Sequence, residues 1–221
     1  MILFNLKLVF RNLLKNKLYS ILIIGGFAIG FTACILIGLF YNSEHNVNKG
    51  FSNYKNIYRL YDDEGENCHL DYDIFPLLAA DYPEVELACP IDYHGGFEFI
   101  LIDVQEHVNT RVDNIISTNN NFFTLFKPRI ISSLASEPFS GNESVVITES
   151  VAKQMYGDKD PVGSIINIFN MFNATITAVI EDLPENSTFK TQVILNSENE
   201  AIFMPQESHI FGYLRTHIIA P

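Results

Sequence analysis

Six histidines, two acidic runs and one glycine-bounded stretch are the parts of this sequence that could do chemistry. His45, His69, His94, His107, His209 and His217 are scattered singly. None has the short spacing that brings two imidazoles to one metal, so each reads as a surface residue. Asp62-Asp63-Glu64 and Glu181-Asp182 could hold a cation through carboxylate oxygens, but solvated turns explain them better. Gly157 to Ser164 is the nearest approach to a phosphate-cradling loop, and it lacks a lysine beside its second glycine. The sequence has no G-x-S-x-G elbow, no C-x-x-C and no H-E-x-x-H. No residue is therefore assigned as catalytic, cofactor-binding or metal-ligating, and no cofactor is expected. ATP hydrolysis by this chain is not expected either. Cys34 lies in an apolar run, while Cys68 and Cys89 are 21 residues apart. They could pair in an oxidising compartment, but two unpaired thiols is the simpler reading.

The elements that must carry any function begin with the most distinctive segment. Leu18 to Tyr41 holds no charged side chain, and 13 of its positions are Leu, Ile or Phe. As a helix it would extend about 36 Å, enough for a bilayer core of roughly 30 Å with some tilt. Those 13 residues favour insertion by about 4–8 kcal/mol as an upper bound. A buried helix of a soluble protein would carry a polar face, which is missing. A cleaved signal peptide would have a shorter apolar region and small residues at its end, unlike Leu39-Phe40-Tyr41-Asn42. The segment reads as an uncleaved transmembrane helix.

The flanks orient it. Lys7, Arg11, Lys15 and Lys17 precede the span with no acidic residue among them, and Glu44 and a long acidic region follow it. The positive-inside rule places the N-terminus in the cytoplasm and residues 42–221 outside. Of 14 basic and 26 acidic residues, only ten basic ones lie beyond residue 17. An external region so acidic argues against a nucleic-acid partner. Residues 1–17 read as an amphipathic helix, with Lys7, Arg11 and Lys15 in one basic stripe toward lipid headgroups. Within the span Gly26, Gly30, Cys34 and Gly38 recur every four residues. They form a small-residue face on which a second transmembrane helix could pack closely.

Beyond the span, strand patterns at 56–61, 97–104, 107–117, 144–147, 165–169, 174–180, 189–195 and 211–218 alternate with a short helix at 74–80 and a short helix or turn at 119–126. A third helix runs from a Thr148 cap to Tyr156, with Gly157 as its stop. Residues 196–208 read as a loop. The absence of a regular strand–helix repeat favours α+β over a doubly wound sheet. One mixed domain over 42–221 is expected, because no linker separates two cores.

Two regions resemble the MacB/FtsX-type permeases of ABC transporters. The first is LKLVFRNLLKNK at 6–17, running into AIGFTAC at 28–34, with NIYRL at 56–60 like the opening strand of their external domain. The second is SVVITESVAKQMYGDKDPVG at 144–163, followed by AVIEDLPENS at 178–187. These stretches match in order and spacing over about half the chain, while residues 68–116 match little. Pro161, Gly163, Pro184 and Asn186 in them are turn-formers, so the motif marks the domain and not a catalytic site. The resemblance implies an inner-membrane permease subunit with a periplasmic core domain. A separate cytoplasmic ATPase would move that domain for export, extraction or activation of a substrate, and substrate need not cross the spans. Partners implied are that ATPase, a second permease copy or homologous permease, and lipid. Such permeases carry further spans after the external domain, so the resemblance also implies a fragment, incomplete at its C-terminus. A single-pass anchored binding or sensor domain is the alternative. A membrane-anchored hydrolase has no supporting motif.

Overall fold

In the computed structural model, residues 15–51, 54–60, 72, 74–168, 170–184, 186–198 and 210–216 are described. They fall into two compact units, residues 1–47 and 48–221.

Among the described residues, the first unit is one helix. The helix continues past both expected ends, taking in Lys17 on one side and Glu44 on the other, and α1 spans Lys17–His45. At about 1.5 Å per residue its 29 residues extend roughly 43 Å. Its apolar side chains point outward all round: Leu22 is 76% exposed, Ile29 74% and Ile37 68%. A helix apolar on every side has no solvated face, and α1 is long and apolar enough to cross a membrane. Thr32 hides its hydroxyl by donating to the Ala28 carbonyl at 2.7 Å. At the exit, Asn46 and Val47 donate backbone N–H groups to the Ser43 and Glu44 carbonyls. The basic helix read at 1–17 lies largely outside the described residues, with Lys7 and Arg11. Lys15 and Lys17 are exposed.

The second unit is a mixed sheet with helices on both faces. Its elements are β1 (Ile57–Arg59), α2 (Ile74–Asp81), β2 (Val85–Asp103), β3 (Asn109–Thr118), α3 (Asn121–Phe126) and β4 (Ile130–Ser133). Then come β5 (Ser144–Thr148), α4 (Glu149–Tyr156), β6 (Ile165–Ile168), β7 (Phe172–Ile180), β8 (Val193–Asn196) and β9 (Ile210–Thr216). The strand order is β1-β9-β2-β3-β8-β5-β7-β4, and β6 bridges β2 and β7. Strands β2, β3, β8, β5, β7 and β6 thus form a closed hydrogen-bonded circuit. The β3–β8 and β5–β7 pairs are parallel, and the other pairs are antiparallel.

Alternation along these strands feeds two cores. Val145 and Ile147 of β5, Val193 and Leu195 of β8 and Ile115 of β3 join Val151, Met155 and Tyr156 of α4. Their neighbours Val146, Ile194 and Ile116 face the other way, into a cluster with Phe122, Phe126, Phe51, Phe139, Phe189 and Tyr213. Burial on both faces makes β5 and β8 continuous apolar runs.

Bulges account for what the sequence pattern concealed. In β7, Val145 pairs with Ile176 and Val146 with Ala178, so Thr177 is skipped. Ile176 therefore faces the first core and Ala178 the second, and the Thr177 hydroxyl donates to the Pro138 carbonyl at 2.6 Å. Strand β2 begins at Val85, twelve residues before the expected 97. Its register shifts between Gly95 and Phe99, which reverses the facing of Ile91 relative to Leu101. Pro90 lies beyond the end of β3, where its missing N–H breaks no bond to that strand; its carbonyl takes the Thr118 hydroxyl at 2.6 Å. Strand β4 has no counterpart among the expected elements, and β8 starts at Val193 and not at Phe189. The loop read at 196–208 and the acidic run 62–64 lie mostly or wholly outside the described residues.

Candidate functional site

The segments that resemble permeases meet at one end of α4. Thr148 adopts the extended backbone of an N-cap, but its side chain makes no capping bond and contacts Ser150 Oγ at 3.1 Å. This corrects the expected Thr148 cap. Asp182 serves instead: Ser150 donates to Asp182 Oδ1 from its backbone N–H at 3.4 Å and from its hydroxyl at 2.6 Å. A carboxylate here also answers the positive end of the helix. Asp182 belongs to the E-D-L-P-x-N-S turn, so one motif caps the helix of the other. Glu181 beside it pairs with Arg129 at 3.0 Å. Neither acidic residue is a free cation ligand.

At the other end, Gly157 (φ +64°) stops α4 as expected, in a conformation that strains any residue with a Cβ, and donates to Lys153 O at 2.9 Å. Tyr156 reaches across to the β2–β3 turn and donates its hydroxyl to Asp103 Oδ2 at 2.6 Å. Asp103 Oδ1 accepts the Gln105 and Glu106 backbone N–H groups at 2.8 and 2.6 Å. Burial opposes ionisation of Asp103, yet the Tyr156 hydroxyl, the two amides and nearby His107 outweigh it and hold the carboxyl below its ordinary value. Burial first, then the Asp103 carboxylate, pushes the Tyr156 phenol up. Lys159 adds an exposed ion pair to Glu106 at 2.8 Å.

The E-D-L-P-x-N-S turn also grips the start of the second unit. Asn48 donates its backbone N–H to Asn186 O at 3.1 Å and its side-chain amide to Thr188 Oγ1 at 2.7 Å. Thr188 returns its backbone N–H to Asn48 Oδ1 at 2.8 Å. Gly50 lies so close to Pro184 that a Cβ would come within 2.8 Å of Pro184 Cγ. Phe51, 5% exposed, enters the aromatic core with its ring 4.9 Å from that of Phe126. Open cavities of about 430 and 420 Å³ flank this turn, both lined by Asp182, Leu183 and Pro184. Pro184 and Asn186 read as turn-formers from sequence. Asn48, Gly50 and Thr188 have no role in that reading, and the Asn48–Thr188 bond joins residues 140 apart.

The residues that could do chemistry are otherwise occupied. His94 is half-buried and not a surface residue: its Nε2 lies 2.9 Å from Ser117 Oγ and 3.7 Å from Asp92 Oδ2. Both partners approach the same nitrogen, whereas a nucleophile-activating histidine needs its acid on the other one. Burial lowers the His94 pKa against the pull of Asp92, and Ser117 is only 2% exposed. His45 and His107 are exposed, and the other three histidines lie outside the described residues. Among the described residues no group of three His, Cys, Asp or Glu could hold a metal. Cys89 is a free, fully buried thiol pushed up to about 12 by burial, against a Thr118 hydrogen bond. Its possible partner Cys68 lies outside the described residues.

On α1, no atom lies within 4 Å of a Cβ placed on Gly26, Gly30 or Gly38, and Cys34 is exposed. Among its described residues, the sheet unit shows a braced α4, tied at both ends to turns, and a first segment, Asn48–Phe51, locked onto one of those turns.

No curated protein matches the chain. Among solved structures, a domain of a protein named as a permease from Porphyromonas gingivalis is similar, with TM-score 0.59 and 22% identity over 77% of this chain and 79% of that one. The periplasmic region of MacB from Actinobacillus actinomycetemcomitans is similar with TM-score 0.57 and 12% identity, over 78% of this chain and 79% of that one. At such identities the likeness is one of fold. The sequence model of the MacB-like periplasmic core domain matches residues 20–219, from inside α1 to beyond β9. A long apolar helix followed by a mixed α/β domain, matched over nearly its whole length, makes this chain a member of the MacB-like periplasmic core domain family.

Proposed function

We propose that the chain is a permease subunit of an ABC transporter. Its N-terminus lies in the cytoplasm and its sheet domain lies outside the inner membrane. ATP hydrolysed on a separate cytoplasmic subunit shifts the membrane helices, and α1 passes that displacement to the external domain. The domain then exports, extracts or activates a substrate on its own side of the membrane. The observation that carries this reading is the single family match across both α1 and the sheet domain. The face of Gly26, Gly30, Cys34 and Gly38 is the surface we assign to a partner helix, from a second copy or a homologous permease. In lipid, helices associate through close packing, and small residues allow backbones to approach.

Isolating the tagged chain from its native membranes tests both parts. The parent should bring down an ABC ATPase and a second permease copy or homologue. Gly30→Ile, which fills the small-residue face, should lose the permease partner. Ile35→Leu, off that face, should keep it. Isolation of the parent without any ATPase would refute the transporter reading. Equal behaviour of the two variants would refute the helix face.

A further inference from the structure

We propose that Asn48–Phe51 is a latch that removes slack between α1 and the sheet domain, with the Asn48–Thr188 pair as its catch. The inference rests on the transmission reading above and names the residues through which a displacement would pass. A displacement crosses a linker only if the linker cannot stretch or bend. Hydrogen bonds of the α1 exit continue to Val47, whose N–H reaches Glu44 O at 3.3 Å. The next residue, Asn48, already holds three bonds to Asn186 and Thr188.

The geometry of the latch is specific. Asn48 sits at φ +61°, a left-handed conformation that asparagine tolerates and most residues resist. Its side chain both donates to and accepts from Thr188, a reciprocal pair that fixes the direction of the chain. Gly50 passes Pro184 where no Cβ fits, and Phe51 then plugs the aromatic core. The catch holds onto the same turn whose Asp182 caps α4. A pull at Asn48 is thus delivered to the turn, to α4 and to the core together.

Opening the latch has a measurable consequence. With it closed, Asn46 and Val47 are bonded back onto α1, and the next residue, Asn48, is bonded onto the sheet domain. With it open and Phe51 still seated, residues 48–50 become a tether. The r.m.s. length of a flexible tether grows with the square root of residue number, so the spread of positions should widen.

The test uses the full chain, one copy per lipid nanodisc, with spin labels at Cys34 and at Asn142→Cys on the exposed surface of the sheet domain. Cys68→Ser removes the remaining candidate thiol, Cys89 being buried. Double electron–electron resonance then reads the distribution of label distances. The parent should give a narrow distribution. Asn48→Gly, which keeps the backbone conformation and deletes both side-chain bonds, should widen it clearly while the melting of the sheet domain stays close to the parent's. Should Asn48→Gly fail to fold, Thr188→Val, which removes the hydroxyl alone, should widen it by less but measurably. A parent distribution as wide as the variants', or no widening in the folded variants, overturns the latch. The measurement involves neither ATPase nor substrate, so its failure leaves the transporter reading intact. Loss of ATPase co-isolation would in turn leave the latch intact.

Discussion

Phe189→Ala should lower the unfolding free energy of the sheet domain by about 3–5 kcal/mol, the range for emptying a buried aromatic site. Phe189 is 3% exposed and its ring lies 5.0 Å from Phe126, 5.1 Å from Tyr213, 6.0 Å from Phe122 and 6.5 Å from Phe51. Most of these contacts are edge-on or tilted, the arrangements aromatic pairs prefer. The ring is fixed from below, because Phe189 donates its backbone N–H to Ser187 Oγ at 3.0 Å and the same hydroxyl donates to the Phe189 carbonyl. Removing it takes away a ring that contacts α3, β9 and Phe51 at once and leaves a cavity among their side chains. Phe189→Leu retains much of the volume and should cost clearly less. Denaturant unfolding of the full chain in detergent, followed through the tyrosine signal, reads both. A cost for the alanine variant under about 1 kcal/mol would mean that the aromatic cluster is not a tight core.

The second large effect is expected at Asp103. Asp103→Ala leaves the Tyr156 hydroxyl and two turn amides without their acceptor, each bond to a carboxylate being worth about 1.5–3 kcal/mol. Since water can reach part of the opened site, a total near 3 kcal/mol is expected, at the high end for one such bond. The pH dependence has a definite sign. The native carboxyl is held below its ordinary value. The unfolded chain therefore binds more protons in that range, and stability rises with pH there. The contribution is complete above the unfolded carboxyl pKa and is lost as pH falls through the native one. The parent should thus lose stability on acidification faster than Asp103→Asn, which carries no charge at that site. Parallel acid-unfolding curves for the two would show that Asp103 contributes nothing to the acid sensitivity. Tyr156→Phe should reproduce part of the loss, because it deletes one of the three donors.

Legibility in the sequence differs by element. α1 was legible from the uncharged apolar run, though the helix extends one residue before and four residues past the expected 18–41. The end of α4 and the start of β6 were legible because Gly157 stops the one and Pro161 and Gly163 turn the chain into the other. Strand β2 was half hidden: a strand that changes partners and reverses its facing at a bulge breaks the alternation by which strands are read. Strand β4 escaped because Ile130 and Ile131 are exposed on an edge, without a buried face to impose a pattern. The Asp182 cap and the Asn48 latch were illegible for a different reason. Each is made between residues distant in sequence, and nothing local about an asparagine or an aspartate says which turn it will meet. The resemblance singled out the E-D-L-P-x-N-S turn without saying what it does. In the fold that turn caps one element and fastens another.

The central claim is that α1 crosses the membrane once, inward end first, with the sheet domain on the far side. The most direct measurement fuses two reporters, in separate experiments, after Ser43: one that folds only outside the cytoplasm and one that folds only inside it. Activity is predicted from the first and none from the second. Activity from the cytoplasmic reporter, with the external one silent, would contradict the claim, because a sheet domain on the same side as the ATPase has no displacement to receive across the bilayer.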